Sequence, residues 1–525
     1  MKYCIKILSL FVFIVSFTFA FAVVPDWVKK HGESVEHPKE IFLTGFGIAK
    51  VSASSGIENA KQFATDIAKR EMTEKVRVSV QNTISTAMQE TQEKLLSYFS
   101  TVTQSSSQME IQGMETTIFY DDDEEYFYVL AFARKDKLIS LYGQKAKKMR
   151  NTIAEHLSSA ERLVQANDVT KALEEYLLCY PLFRELEEAQ TILSALQTSL
   201  PEIGDATAKD EHTILNVRDA VDKLVQRPMS SDEDIAWYIA YCLKNQMEEK
   251  NISVLVTPLT FQDTRMGSAF ARYFKNVVQN KIIDVAQWNV VEQIENFTPK
   301  TRDVVKEFAT VSGAKFVVTG TYWEMGDDIK FIISLRDISA NRIVGSVEKI
   351  VAKNILDRTN LSLKPENYEQ ALHERKVFNK DEIIGNGLFV EIFTNKGYDN
   401  ILYEEGERMN VSVRVNMPCY VRLVYHQADS SRILLLKNYY IDESKVNKVV
   451  TVPGGWVCAE PFGAEVLQVF ARTEQFEELN VIEQDGREYM QDNLQQFVVA
   501  TRGMKKVKKE TLQAEAILIL TTVGK

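Results

Sequence analysis

The sequence predicts a multidomain α+β protein: an N-terminal α+β module, a helical hairpin connector, an α/β module and a C-terminal β-sandwich. Three observations lead there. The chain has 525 residues, more than one hydrophobic core organises. Apolar residues recur at helical spacing from Asn151 to Leu196, whereas strand and helix patterns alternate over residues 252–354. From Leu388 onward, short apolar runs are separated by Gly, Asn, Asp or Pro turns.

Residues 1–22 read as a cleavable export signal. Lys2 and Lys6 precede an apolar core from Ile7 to Phe19, and Phe19-Ala20-Phe21-Ala22 suits cleavage before Val23. The stretch is short for a spanning helix and Pro25-Asp26 follows it at once, which argues against a membrane anchor. Lipidation needs a cysteine at the first mature position, and Cys4 lies too early. No other run is long and apolar enough to cross a bilayer. The expected location is the periplasm or the periphery of the outer membrane. The formal net charge of −11, about −13 without Lys2 and Lys6, argues against nucleic acid as a partner.

In residues 23–145, Ile41 to Gly47 reads as a buried strand ending in glycine. Ile57, Ala60, Phe63, Ala64, Ile67, Ala68 and Met72 then outline a helix with small residues for close packing. Val76 to Val80 alternates like a strand, Tyr126 to Phe132 is a stronger one, and residues 81–108 form a polar helix or arm. The connector, residues 146–248, holds a tetratricopeptide-like hairpin turning near Asn167-Asp168, then a helix capped by Ser231 with Asp234 three residues on. Residues 249–360 alternate strand and helix and end in a hairpin over Ile329–Asp337 and Arg342–Ile350, an α/β unit with its own core. A polar linker, 361–384, leads to residues 385–525, where six strands and a closing run from Ala514 to Val523 predict a sandwich.

Chemistry is sparse in this pattern. Gly45-Phe46-Gly47 stands where a phosphate loop would, but it lacks a third glycine and a Gly-Lys-Ser/Thr ending, so it reads as a turn. Asp121 to Glu125 gathers five carboxylates without the spaced ligands and glycine of a calcium loop, and reads as a hairpin tip. The six histidines form no zinc pattern. His426, Asp429 and Ser430 are the one local trio of hydrolase type, in a stretch that suits a turn. Lys505, Lys506, Lys508 and Lys509 form a small basic patch. Cys179, Cys242, Cys419 and Cys458 follow the signal, and Cys419 with Cys458 is the candidate disulfide against four buried free thiols. No catalytic residue, cofactor site or metal site is predicted.

Resemblance to known families comes in three portions. Pro25-Asp26-Trp27-Val28, Phe42-Leu43-Thr44-Gly45-Phe46-Gly47 and the Ala60/Ala64/Ala68 helix resemble the LPP-twenty family of small outer-membrane lipoproteins over residues 25–140, without that family's lipidated cysteine. Gly313 to Gly320, with Leu335-Arg336-Asp337 and Asn341 to Val344, resembles the N-terminal domain of TolB and the CsgG-like and penicillin-binding-protein-activator folds. That likeness implies a protein-binding or ring-building module without catalytic residues. Tyr403 to Glu407, Cys419 to Leu423 and Pro461 to Glu465 are similar to a β-rich domain of unknown function, DUF4384. The order of the first two modules is similar to that of the flagellar ring protein FlgT, although the last domain differs.

The expectation is therefore a non-enzymatic scaffold or assembly protein of the cell envelope, binding other envelope proteins and itself. Phe270, Phe274 and Trp288 are candidate interaction anchors, set against a role in the core. The alternative is a periplasmic ligand-binding sensor or an unrecognised hydrolase with a pocket around Tyr420, Tyr425 and Trp456.

Overall fold

A computed structural model describes residues 24–54, 56–90, 111–196, 200–262, 264–292, 297, 299, 304–380, 387–491 and 511–525. The export signal, residues 91–108 of the polar stretch and the lysines from Lys505 to Lys509 lie outside the described residues.

The N-terminal module is a three-stranded antiparallel sheet in the order β1-β3-β2, with β1 Phe42–Lys50, β2 Glu115–Asp121 and β3 Tyr126–Arg134. A short helix, α1 (Asp26–Lys29), lays Trp27 and Val28 against Phe46 and Leu130 on one face. The long helix α2 (Gly56–Glu90) covers the other. Ala60, Ala64, Ala68, Met72 and Val76 recur every four residues and are all buried, so the helical stripe continues through the segment expected to be a strand. Val76 to Val80 is helical, and burial of Val76 in the stripe outweighs the local strand preference there. Nor does the strand end at its glycines. A Cβ on Gly45 would stand 2.1 Å from the Ala68 carbonyl oxygen, and one on Gly47 2.0 Å from that of Ala64. The Gly-x-Gly pattern is a mid-strand seat for a helix backbone rather than a turn.

Helices α3 (Lys135–Gln165) and α4 (Val169–Leu196) form the expected hairpin, with Asn167 in the left-handed region at φ 58°. Helices α5 (Leu200–Val225) and α6 (Asp232–Lys244) follow. The Ser231 hydroxyl accepts the Asp234 N–H at 3.2 Å and caps α6.

The middle module contains β4 (Ser253–Val256), β5 (Thr260–Phe261), α7 (Ala269–Lys281), β6 (Asn289–Val291) and α8 (Val304–Ser312), then β7 (Phe316–Met325), β8 (Asp328–Asp337) and β9 (Arg342–Ala352). The sheet order is β6-β4-β7-β8-β9, with β5 added on β7. Pairings from β4 to β6 and β7 are parallel, and the β7-β8-β9 meander is antiparallel. The module keeps a small core of its own on one face, where Phe308 and Ala309 of α8 meet Leu255 and Val317, and shares the core on its other face. One apolar cluster runs from Ala49 through the connector to Leu356, because α4 and α6 pack on β9.

The segment expected to be a linker contains a helix, α9 (Tyr368–Lys380). Asn367, just before it, donates to the carbonyls of Ala428 at 3.1 Å and Ala464 at 2.8 Å and accepts from the Ala464 N–H. The C-terminal domain then runs through β10 (Val390–Thr394), β11 (Ile401–Glu404), β12 (Arg408–Met409), β13 (Val411–Val415), β14 (Cys419–His426) and β15 (Arg432–Ile441). It closes with β16 (Val450–Thr451), β17 (Trp456–Val457), β18 (Gly463–Arg472), β19 (Val481–Gln484), β20 (Arg487–Met490) and β21 (Gln513–Val523). A seven-stranded sheet, β11-β21-β18-β14-β15-β20-β19, faces the three-stranded β10-β13-β16 across a core of Val413, Leu423, Leu467 and Leu520. This is the predicted sandwich, and the chain as a whole is multidomain α+β.

Candidate functional site

The residues singled out in the sequence mostly turn inward. Phe270 and Phe274 are fully buried, stack on each other at 5.2 Å and lie against Phe331, while Trp288 is 3% exposed. They are core residues, because helix α7 uses this stripe to pack on its own sheet. Cys419 and Cys458 are unbridged buried thiols of the sandwich core, as Cys179 and Cys242 are buried thiols of the larger one. Burial pushes the thiols of Cys419 and Cys458 up to about 12, so neither is a ready nucleophile.

The hydrolase-like trio does not converge. The His426 Nε2 lies 2.8 Å from the Gln468 Oε1 inside the sheet, whereas the Asp429 carboxylate accepts the Ser431 N–H and Ser430 bonds Gln370. Tyr420 and Tyr425 stand at odd separation on one strand and so on opposite faces. Tyr420 packs on Tyr440 at 4.8 Å, whereas Tyr425 and Trp456 both pack against the sandwich core. Asp121 forms the hairpin tip by accepting the N–H groups of Asp123 and Glu124, each at 3.1 Å. Among the described residues no group of three His, Cys, Asp or Glu side chains is placed to hold a metal.

What the fold does bring together is a set of three buried polar centres, two of them at joints between modules. The first ties the ends of the chain. On β10, Glu391 takes an ion pair from Arg70 of α2 at 2.6 Å, and the Arg414 guanidinium stacks over Phe63 at 3.5 Å. Beside it, Asn416 is fully buried and spends its amide on three backbone groups. Its Nδ2 donates to the carbonyls of Ile48 at 2.8 Å and Gly387 at 2.6 Å, and its Oδ1 accepts the Phe389 N–H at 2.7 Å. The Lys50 N–H donates to the Asn416 carbonyl at 2.9 Å, and Asn447 Nδ2 donates to the Lys50 carbonyl at 2.6 Å. Residues almost 400 positions apart thus extend one hydrogen-bond pattern across two modules.

The second centre joins α4 to the middle sheet. Arg184 lies 2.8 Å from Glu187 and 3.0 Å from Glu348, and Lys330 reaches the other Glu348 oxygen at 3.1 Å. All four side chains are buried. Burial raises the Glu187 carboxyl to about 7 despite Arg184 and Lys330, whereas burial of Glu348 is outweighed by those two cations and its pKa falls.

The third lies at one end of the sandwich. Glu465 on β18 is 2% exposed, accepts the Tyr425 hydroxyl and takes the Ala428 N–H at 3.3 Å. Burial lifts its pKa to about 7 against the lowering effect of the Tyr425 hydrogen bond, and burial with the Glu465 charge raises Tyr425. Nearby, Tyr403 donates to Asn395 at 2.6 Å and Lys396 donates to Glu407 at 2.5 Å. The Glu465 carboxyl, raised to about 7, is closed off from solvent.

None of Arg184, Glu348, Glu391, Asn416 or Asn447 was legible as functional in the sequence. The one available signal was a lone charge inside an apolar strand, as in Val390-Glu391-Ile392 and Val347-Glu348.

Residues 402–475, from β11 through β18, match the domain of unknown function DUF4384, which places Cys458 and Glu465 inside that domain. No curated protein matches the chain. Among solved structures it is similar to the LpoB C-terminal domain from Salmonella enterica, at 17% identity over 22% of this chain and 98% of that one, with a TM-score of 0.19. The same domain from Escherichia coli aligns at 13% identity over 24% and 98%, with a TM-score of 0.20. The secreted protein HP1454 from Helicobacter pylori aligns at 11% identity over 61% and 90%, with a TM-score of 0.15.

Proposed function

We propose that this protein is an exported scaffold or assembly protein of the cell envelope, binding other envelope proteins and copies of itself without chemistry of its own. The observation that carries the reading is the clamp of Arg70–Glu391, Asn416 and Asn447. It ties the first module to the last while a continuous core joins the modules between, giving a preset frame for presenting surfaces. Export rests on Lys2, Lys6, the apolar run to Phe19 and the Ala20-Phe21-Ala22 ending, and no helix among the described residues is long and apolar enough to cross a membrane. The sensor or hydrolase alternative has less support, because Glu465 and Tyr425 spend their polar atoms on each other in a buried site.

Light scattering on the chain from Val23, together with crosslinking and mass spectrometry in the native envelope, tests the proposal. A defined multimer or a reproducible envelope partner supports it. A strict monomer that captures nothing sinks it.

A further inference from the structure

The three-stranded sheet of the N-terminal module ends in β1 on one side and β2 on the other, and the two edges differ. The β1 edge is closed. Glu71 of α2 accepts the Phe46 N–H at 2.8 Å, Lys75 donates to the Thr44 carbonyl at 3.0 Å, and the Lys50 N–H donates to the Asn416 carbonyl at 2.9 Å. Strand β2 pairs with β3 through all seven of its residues without a bulge. Among the described residues nothing hydrogen-bonds the backbone of its outer edge. Nor does β2 carry the proline or lysine that commonly blunts a strand edge.

Side chains at this edge are apolar on both faces. Ile118 is exposed and Tyr120 stacks on Phe127 at 4.5 Å on the face that packs on α2, while half-buried Phe119 lies 6.2 Å from Tyr128 on the opposite face. Acids frame the edge: Asp121 to Glu125 at one end, Glu115 at the other. Among the described residues none of these acids is ion-paired. Lys50, which senses the Glu125 charge, is paired with Glu443 at 3.0 Å, and Arg134 is paired with Asp136 at 2.8 Å. The same acids disfavour a second copy of β2 as the neighbour. Antiparallel pairing would set Glu115 against Asp121, parallel pairing would set each acid against itself, and like charges directly opposite are destabilising.

We propose that the outer edge of β2 takes an extended basic peptide segment of a partner protein as a fourth strand. Its backbone pairs with β2, its apolar side chains lie beside Ile118 and Tyr120 on one face and Phe119 on the other, and its basic ends face Glu115 and the Asp121–Glu125 tip. The proposal rests on the scaffold reading and names the chemistry of one partner. It can fail alone, because light scattering and crosslinking still report contacts made by other surfaces.

Fluorescence anisotropy of the labelled peptide KKVTVTVKK, titrated with the chain from Val23 at low salt, tests this. The control is the same peptide N-methylated along its VTVTV run, which keeps every charge and side chain but removes the backbone donors. The expected result is saturable binding at about 10–100 μM that weakens as salt is added, with at least a tenfold loss for the N-methylated peptide. D122N/D123N/E124Q, at exposed positions of the tip, weakens binding at least threefold with an unchanged circular dichroism spectrum. Bound peptide slows hydrogen exchange at the amides of β2. No saturable binding, equal binding of the N-methylated peptide, unchanged affinity in the acid variant, or protection that leaves β2 untouched overturns the proposal.

Discussion

The Gln246 side-chain amide takes both main-chain groups of Ser346: its Oε1 accepts the Ser346 N–H at 2.9 Å, and its Nε2 donates to the Ser346 carbonyl at 2.7 Å. Strand β9 is the last of its sheet, and Gln246, just beyond helix α6, stands in for the missing neighbour strand at one position. Both residues are buried, so no water replaces the pairing if it is lost.

Gln246→Ala therefore strands a buried donor and a buried acceptor and should lower stability by about 2–4 kcal/mol. Urea denaturation followed by circular dichroism measures it. A loss under about 0.5 kcal/mol would mean that β9 does not need this cap.

Gly47 and Gly143 make opposite predictions for the same change. On Gly47 a Cβ meets the Ala64 carbonyl oxygen at 2.0 Å and the Ala68 nitrogen at 2.8 Å, both backbone atoms, whereas on Gly143 in α3 it meets nothing within 4 Å. Gly47→Ala should destabilise by at least about 2 kcal/mol through overpacking. Gly143→Ala should stabilise by up to about 1 kcal/mol through helix propensity. Thermal melts of the two variants side by side check the contrast, and equal effects would contradict the close seat of α2 on β1.

Asn416→Ala removes three hydrogen bonds at the clamp between the first and last modules. The expected outcome is faster hydrogen exchange at the Phe389 N–H and the Lys50 N–H than in the parent, with the β7-β8-β9 amides unaffected. Uniform acceleration across the protein would instead show that the clamp has no local role.

Glu465 gives a pH dependence of known sign. Its carboxyl has a higher pKa folded, about 7, than its ordinary 4.5, so the native state binds the proton more tightly and stability falls as pH rises through that window. The full cost of ionisation, reached above pH 7, is at most about 3 kcal/mol. Glu465→Gln keeps an acceptor for Tyr425 but cannot ionise. Its stability gain over the parent should be near zero at pH 4.5 and largest above pH 7, and a flat difference across that range would refute the shifted carboxyl.

Periodicity alone located most strands and helices, because burial of one face imposes a repeat that a single segment carries by itself. The α3–α4 hairpin, the Ser231 cap and the strands β14, β15, β18 and β21 were legible for that reason. What a residue contacts is not a local property. Gly45-Phe46-Gly47 has the same sequence whether it turns or seats a helix, and only the approach of Ala64 and Ala68 decided it. Val76 to Val80 has strand-forming residues, but Val76 continues the stripe that α2 buries. Phe270, Phe274 and Trp288 have the composition of an interface, yet their sheet lies directly beneath them. The fold class and most elements could be read from periodicity, although the helices over Val76–Val80 and Tyr368–Lys380 could not. The tertiary structure decided the joints, because Arg70 with Glu391 and Lys50 with Asn447 acquire meaning only when chain segments more than 300 residues apart are brought within hydrogen-bond reach.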